Sequence, residues 1–421
     1  MIKSFDRTRV ILVAFLAISA FLNYLDRQAL AILAAPIQAE LKITDEGYAF
    51  VVSSFLVAYS LGNLISAWCI EKWGVRVALP AFVLWWSIAN FLTGFGTDEY
   101  TVAATRFALG LAETGGFIAI TIMSQESFKP SQRAIVIGFC NAAAMIGATL
   151  SPPIVAWLYE VSGWRFAFFS TGLLGVAWTF CWVLIFVRGK TTVDLSYERS
   201  NTAKSDTVAE TSDGKRYSYL QTMTDRKVWA IIIGKMLTYP VWFFYLFWFP
   251  KYLTDERGLT VAELGKTVWV TYFAAALGSI VGGMFSGYLI RRGVKPRAAR
   301  LWVLAFVAVV GPIGIINGFG PPILISIMVA SVVAFLQMFW QINIQVLSTD
   351  IFDKTQLVKV VSIAALITSL FSVLTNTLVG SLVETISYRP MFVAMAFAYP
   401  VAFLIVFILI REKDAPAFKR E

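Results

Sequence analysis

The sequence of 421 residues contains no histidine, only three cysteines, and charged side chains at just 14% of its positions. Each scarcity removes a class of function. Without histidine the chain lacks the commonest metal ligand and the one side chain that titrates near neutrality unaided, so a proton carried at physiological pH must ride on a carboxylate. Cys69, Cys140 and Cys181 stand far apart in apolar segments, with neither metal-ligand nor disulfide spacing, and read as packing residues. A charged fraction this far below the roughly 25% of a soluble domain means that water is not the main solvent of the folded surface.

Long apolar runs are what the chain has in abundance. Hydrophobic residues fill 58% of it, and stretches such as Val10 to Tyr24, Ala78 to Phe95, Phe166 to Val187, Leu301 to Ile316 and Met391 to Ile410 can, with their flanks, cross about 30 Å of hydrocarbon. The pattern predicts an all-α membrane protein with twelve transmembrane helices. They fall near 10–34, 47–69, 77–96, 101–124, 131–158 and 166–187, then 229–253, 264–290, 299–318, 322–350, 357–381 and 387–410. The first helix is expected to be retained rather than cleaved. Its apolar stretch is too long for a signal peptide, Tyr24-Leu25-Asp26-Arg27 lies within it, and no small-residue cleavage site follows.

A net charge of +9 could indicate a nucleic-acid partner. Its distribution indicates topology instead, because Lys and Arg concentrate in the loops on the side of both termini, which the positive-inside rule places in the cytoplasm. The expected partners are therefore the lipid bilayer and a small molecule, not nucleic acid, with the chain acting as a monomer in a bacterial inner membrane.

The one long polar stretch, Arg188 to Lys227, is rich in Ser, Thr, Asp and Lys and reads as a cytoplasmic linker. It divides the chain into a six-helix bundle at 1–187, a linker at 188–228, a second bundle at 229–410 and a tail at 411–421. An internal repeat supports the division. Lys72-Trp73-Gly74-Val75-Arg76 follows the second helix as Arg291-Arg292-Gly293-Val294-Lys295 follows the eighth, and Gly163-Trp164-Arg165-Phe166 precedes the sixth as Ser387-Tyr388-Arg389-Pro390 precedes the twelfth. Two pseudo-symmetric six-helix bundles are expected to hold a substrate between them near the midplane.

Ionisable groups inside a bilayer cost about 2.5–3.5 kcal/mol each on insertion scales and need partners or a water-lined cavity. Five stand out: Asp26 and Arg27 on the first helix, Arg106 and Glu113 on the fourth, and Lys235 on the seventh. Arg106 and Glu113 are seven residues apart and so project from nearly one face, about 10 Å apart along the axis. Asn23 and Arg27 share a face at i, i+4, whereas Asp26 points about 100° away towards a different helix. The two arginines fit bidentate capture of a carboxylate, or else buried ion pairs that hold helices together. Glu113 and Asp26 fit a proton carrier, since burial and a neighbouring cation act on a carboxyl in opposite directions, or else a static pair. Lys235 can contact substrate or snorkel to the headgroups. The aromatic run Trp242 to Pro250 is expected to be mostly lipid-facing or packing surface. Gln341, Asn343 and Gln345 on the tenth helix can meet substrate hydroxyls or bond to neighbouring helices. The small residues from Gly138 to Gly147 and the Ser151-Pro152-Pro153 step should permit close packing and bending of the fifth helix.

Three strings taken together resemble the anion:cation symporter family of the major facilitator superfamily, nearest to its hexuronate and sugar-acid branch. These are Asn23-Tyr24-Leu25-Asp26-Arg27-Gln28, Arg106 with Glu113, and Gly234-Lys235-Met236-Leu237-Thr238 leading into Pro240 and Trp242 to Pro250. The resemblance covers nearly the whole chain. Glu71-Lys72-Trp73-Gly74-Val75-Arg76 resembles the superfamily's signature loop, with Glu71 for the usual Asp and Ala67 for the usual Gly. Phe128 to Ala134 resembles the loop before the fifth helix, which contains Arg133. The resemblance implies a major facilitator fold and proton-coupled import of an organic anion by alternating access, with no cofactor beyond the coupling proton. It also implies roles: Arg27, Tyr59 and Arg106 touch substrate, and Trp340, Gln341 and Asn343 contact the sugar, to which position alone adds Asn23 and Lys235 as substrate-binding candidates. Asp26 and Glu113 handle protons, and Glu71, Lys72, Gly74, Arg76 and Arg133 form a conformational clamp. Tyr239, Ala144 and Ala276 depart from the polar or acidic residues common at their positions, which leaves the resemblance silent on the substrate's far end. A sodium-coupled or exchange carrier for an aromatic acid, dicarboxylate or acidic amino acid is the rival within transport. A membrane enzyme would need a nucleophile, a metal cluster or a soluble catalytic domain, and the sequence offers no histidine and no domain-sized loop; a channel would not need the clamp loop.

Overall fold

A computed structural model describes residues 7–128, 130–187, 219–352 and 354–410. The expected linker falls largely, and the tail wholly, outside the described residues. Every described element is a helix, as an apolar solvent requires, since only a helix or a closed barrel satisfies all its backbone polar groups internally.

The first four crossings are α1 (Arg7–Ile32), α2 (Asp45–Trp73), α3 (Val75–Thr93) and α4 (Glu99–Ser127). A continuous apolar stretch follows, Ile135–Val187, interrupted where Ser162 (φ −159°, ψ 31°) and Gly163 (φ 80°, ψ 178°) leave helical geometry. The break divides it into α5 (130–161) and α6 (164–187). The second half supplies α7 (Arg226–Asp255), α8 (Val261–Arg291), α9 (Pro296–Phe319), α10 (Ile323–Ile351), α11 (Lys354–Thr385) and α12 (Arg389–Ile410). These are twelve crossings in two six-helix bundles, as the hydropathy predicts, with several helices running a turn longer than their apolar cores. Polar caps extend them: Thr44 accepts from the Gly47 N–H at the start of α2, and reciprocal capping boxes at Asp98/Thr101 and Thr260/Glu263 open α4 and α8.

Contacts group the described residues into two compact units. One comprises Met1–Asp213 together with Phe244–Phe273 and Val373–Ser387, and the other Gly214–Phe243, Ala274–Ser372 and Tyr388–Glu421. The units therefore cut across the sequence halves: the last turns of α7 and α11 and the first turns of α8 cluster with the first half.

Within the first unit, small residues set how closely the helices approach. A Cβ on Gly147 of α5 would lie 2.5 Å from the Phe21 carbonyl of α1, and one on Gly110 of α4 would lie 2.6 Å from the Phe55 carbonyl of α2. Ser151 on α5 reinforces the first contact by donating to the Leu25 carbonyl at 3.3 Å. This is the close packing expected of the small residues on α5, and it fixes the register of α1 against its neighbours.

The aromatic run on α7 is packing surface, one of the two roles expected of it. Phe244 to Phe249 are all at most 3% exposed, and therefore face protein rather than lipid. Consecutive helical residues point in every direction around the axis, so this part of α7, which contains a π-helical turn at Phe244–Trp248 between Pro240 and Pro250, is enclosed on all sides. The Phe55 ring then lies 6.2 Å from that of Phe247, and Tyr48 donates to the Phe247 carbonyl at 3.1 Å. Among the cysteines, Cys69 and Cys140 are buried as packing residues, whereas Cys181 faces outward.

Candidate substrate and proton site

The costly side chains of α1 and α4 meet inside the first unit in two adjoining clusters. In the first, Arg27 Nη2 lies 2.7 Å from Glu113 Oε2 and Arg27 Nε donates to the same oxygen at 2.8 Å. Asn23 ties this pair to both helices, accepting from Arg27 at 3.3 Å and donating to the Glu113 carbonyl at 3.2 Å. The Arg27 guanidinium is packed among rings, 4.7 Å from the centroid of Tyr59, 5.0 Å from Tyr24 and 5.5 Å from Phe55. Such contacts hold a cation where little water can solvate it. Arg27 keeps 8% of its surface exposed and Tyr59 is half-buried, while Glu113 is fully enclosed and its Oε1 has no hydrogen-bond partner among the described residues.

The second cluster centres on Asn90 of α3, a residue the sequence reading passed over. Arg106 Nη2 donates to Asn90 Oδ1 and to Thr93 Oγ1, each at 2.7 Å, and Nη1 reaches the Asp26 carbonyl at 3.4 Å. Asn90 Nδ2 in turn donates to Asp26 Oδ1 at 2.8 Å and to Thr171 Oγ1 of α6 at 2.7 Å. The Phe168 ring covers the guanidinium at 5.0 Å. Arg106 is 1% exposed and Asp26 is fully buried. The seven-residue spacing thus places Arg106 and Glu113 on one enclosed face of α4, and the 100° offset sends Asp26 to α3 and Arg27 to Glu113. Asn90 and Thr93 were legible in principle: they are polar residues within an apolar span, subject to the same cost argument as charges.

The other expected residues are spread more widely. In the second unit Trp340 is fully buried and its indole N–H donates to the Gly234 carbonyl at 3.1 Å, while Asn343 donates to the carbonyls of Gly282 at 3.1 Å and Phe339 at 2.9 Å. Both tie α10 to neighbouring helices. Gln341, half-buried, approaches Thr238 Oγ1 at 3.5 Å, and Gln345 is exposed. Lys235 is half-buried and its ammonium has no ion-pair or hydrogen-bond partner among the described residues.

The clamp residues sit where α2, α4 and α5 turn. Gly74 closes α2 and opens α3 at φ 74°, ψ 152°, a region of backbone space essentially confined to glycine. Lys72 lies over the Trp68 ring at 4.7 Å, Glu71 is exposed, and the Arg76 carbonyl accepts from Trp182 at 3.3 Å. Arg133 caps the end of α4, donating to the carbonyls of Gln125 at 2.9 Å and Phe128 at 3.0 Å.

A further constellation, also missed in the sequence, lies at the helix ends remote from the termini. Lys251, 4% exposed, pairs with Asp45 at 2.7 Å and with Asp255 one turn on. Beside it Trp248 donates to Asn376 Oδ1, while Asn376 Nδ2 donates to the Ala49 carbonyl and to Ser53 Oγ, all at 2.9 Å. Glu384 accepts from the Glu46 N–H at 2.9 Å. These bonds seal α2, α7 and α11 together on that side.

A family model described as the Major Facilitator Superfamily matches residues 16–350. The chain belongs to the major facilitator superfamily. It is accordingly a multi-pass membrane transporter rather than an enzyme. It is similar to the hexuronate transporter of Escherichia coli, at 25% identity over 96% of this chain and 94% of that one. It is also similar to the galacturonate transporter of Dickeya chrysanthemi, at 27% identity over 65% of this chain and 79% of that one. In fold it matches a bacterial homologue of the human lysosomal transporter Spinster, solved inward-facing and occupied, with a TM-score of 0.75 at 16% identity and 96% coverage of both chains.

Proposed function

We propose that the protein is a proton-coupled symporter that imports a sugar acid, a hexuronate or aldonate, by alternating access across a bacterial inner membrane, with both termini cytoplasmic. The observation that carries this reading is the burial of two guanidinium groups and two carboxyls together on α1 and α4, in a superfamily member similar to transporters of hexuronate and galacturonate.

Arg27 is the carboxylate-binding group in this reading, with Tyr59 and Asn23 beside it. It is the less enclosed of the two arginines, and its fork is occupied by Glu113, a carboxylate of the shape an incoming substrate would present. Substrate and Glu113 then compete for one cation. Protonation of Glu113 removes its charge and frees Arg27, so the proton and the anion bind together. Arg106 contributes to binding by leaving Asn90 and Thr93, and Asp26 is the second proton site. The contribution of Lys235, Trp340, Gln341 and Asn343 rests on the family resemblance alone.

The test is uptake of radiolabelled D-galacturonate, D-glucuronate and D-galactonate by purified protein in liposomes. An inward proton gradient should drive accumulation above equilibrium, and a protonophore should abolish it. Accumulation indifferent to the proton gradient but driven by sodium would refute proton symport. A thermal-shift screen in which aromatic acids or dicarboxylates stabilise the protein and sugar acids do not would refute the substrate class.

A further inference from the structure

Asp26 and Arg106 are both deeply buried and close to one another, yet their side chains make no direct ion pair. Arg106 reaches only the backbone carbonyl of Asp26, and the Asn90 amide stands between the two side chains. Resting on the reading of Asp26 as a proton carrier, we propose that Asn90 is a positioning residue that keeps Asp26 titratable by holding the Arg106 guanidinium off its carboxyl.

The argument starts from what each group can do. A guanidinium only donates, and an amide has one acceptor oxygen and one NH2 with two donors. Arg106 therefore fixes the orientation of the amide: Oδ1 must face the guanidinium, and the NH2 must face Asp26 and Thr171. The Thr171 hydroxyl lies 3.1 Å from the Ala167 carbonyl and within reach of Asp26, and its oxygen accepts the second N–H. Both amide protons are thereby committed. Asp26 Oδ1 can only accept in this arrangement, and the unpartnered Oδ2 is the atom on which a proton can settle without breaking a bond.

A direct Arg106–Asp26 pair would behave differently. Opposite charges in contact in a medium of low dielectric hold the carboxyl ionised over a wide pH range, and a carboxyl that never protonates carries nothing. The amide passes on part of the guanidinium's polarity through one hydrogen bond while keeping the charges apart. The charged groups that face Asp26 are Arg106 and Glu113, both from α4. Asn90 of α3 and Thr171 of α6 are neutral, and Ser151 of α5 bonds to the backbone at Leu25. Glu113 is itself paired with Arg27. Asn90 is thus the one neutral side chain bonded to both Asp26 and Arg106.

Infrared titration of the purified protein in liposomes tests this without needing a substrate. The protonated-carboxyl band that disappears in Asp26→Asn identifies Asp26. Asn90→Ala removes the amide that separates the two groups and lets the Arg106 guanidinium reach the Asp26 carboxyl, so that band should be lost at a pH about one unit lower than in the wild type. Asn90→Ser, which keeps part of the bulk and a hydroxyl donor, should fall between the two and stands in if the alanine variant does not fold. Unchanged titration in either variant, or movement to higher pH, overturns the proposal. If the wild-type Asp26 band does not titrate at all, the assignment of Asp26 as a proton carrier falls with it. A wild type that accumulates sugar acid on a proton gradient, beside an Asn90→Ala protein whose uptake has the same pH profile, removes the role of Asn90 alone and leaves proton symport standing.

Discussion

Arg27 and Glu113 form an ion pair from which water is almost wholly excluded, and such a pair is costly to break from one side only. Removing the cation by Arg27→Ala would leave a buried carboxylate unpaired, at about 3–5 kcal/mol. Glu113→Gln is milder, because the amide oxygen can still accept from Arg27. In our reading it should abolish gradient-driven accumulation while lowering thermal stability less than Arg27→Ala does. Uptake and thermal denaturation measured side by side check this, and wild-type accumulation by Glu113→Gln would contradict it. The spacing of Arg106 and Glu113 and the i, i+4 relation of Asn23 and Arg27 made this chemistry legible in the sequence. The choice of partner was not legible, because it depends on how far α1 slides along α4 and α5. The backbone approach of α5 to α1 at Gly147 sets that register. Asn90 carries no charge and is the one side-chain amide in the apolar span of α3, so nothing in its spacing marks it, although an amide in hydrocarbon is subject to the same cost.

A helix end with no alternative residue is the clearest case at the scale of elements. Gly74 serves both α2 and α3 at φ 74° and ψ 152°, so a side chain there is strained whatever space surrounds it. Gly74→Ala should cost about 1–3 kcal/mol. If this turn belongs to a conformational clamp, as its resemblance implies, the same variant should also slow transport more than it weakens substrate binding. A thermal-shift assay and initial uptake rates check both halves of the expectation, and an alanine variant with wild-type stability and rate would overturn it. Helix positions followed directly from hydropathy, and Gly74 was legible as a stop. The enclosure of the α7 aromatic run was not. An apolar ring satisfies lipid and protein interior equally, and only the helices packed around 244–249 decide which it meets.

For the molecule as a whole, twelve crossings, a duplicated pattern and membership of the superfamily could all be read from the chain. The grouping of 244–273 and 373–387 with the first half could not, because it reflects which ends of the crossings are packed together, and a transporter changes that packing as it works. Lys251 is a specific test of the seal. Lys251→Met leaves Asp45 and Asp255 without their shared cation and should loosen the contact of α2 with α7 and α11. In a background lacking the native cysteines, labelling of Ser53→Cys by a membrane-impermeant thiol reagent should rise several-fold in Lys251→Met; equal labelling with and without Lys251 would refute the role assigned to it. The two polar clusters behind that seal have a different consequence. Among the described residues, every hydrogen-bonding partner of Asp26, Arg27, Arg106 and Glu113 lies in the first six helices, Thr171 of the Asn90 network being the most distant along the chain. During synthesis the ribosome therefore completes this charge-neutralising set before α7 is made, and the growing chain need not wait for its second half to shelter its most lipid-averse residues.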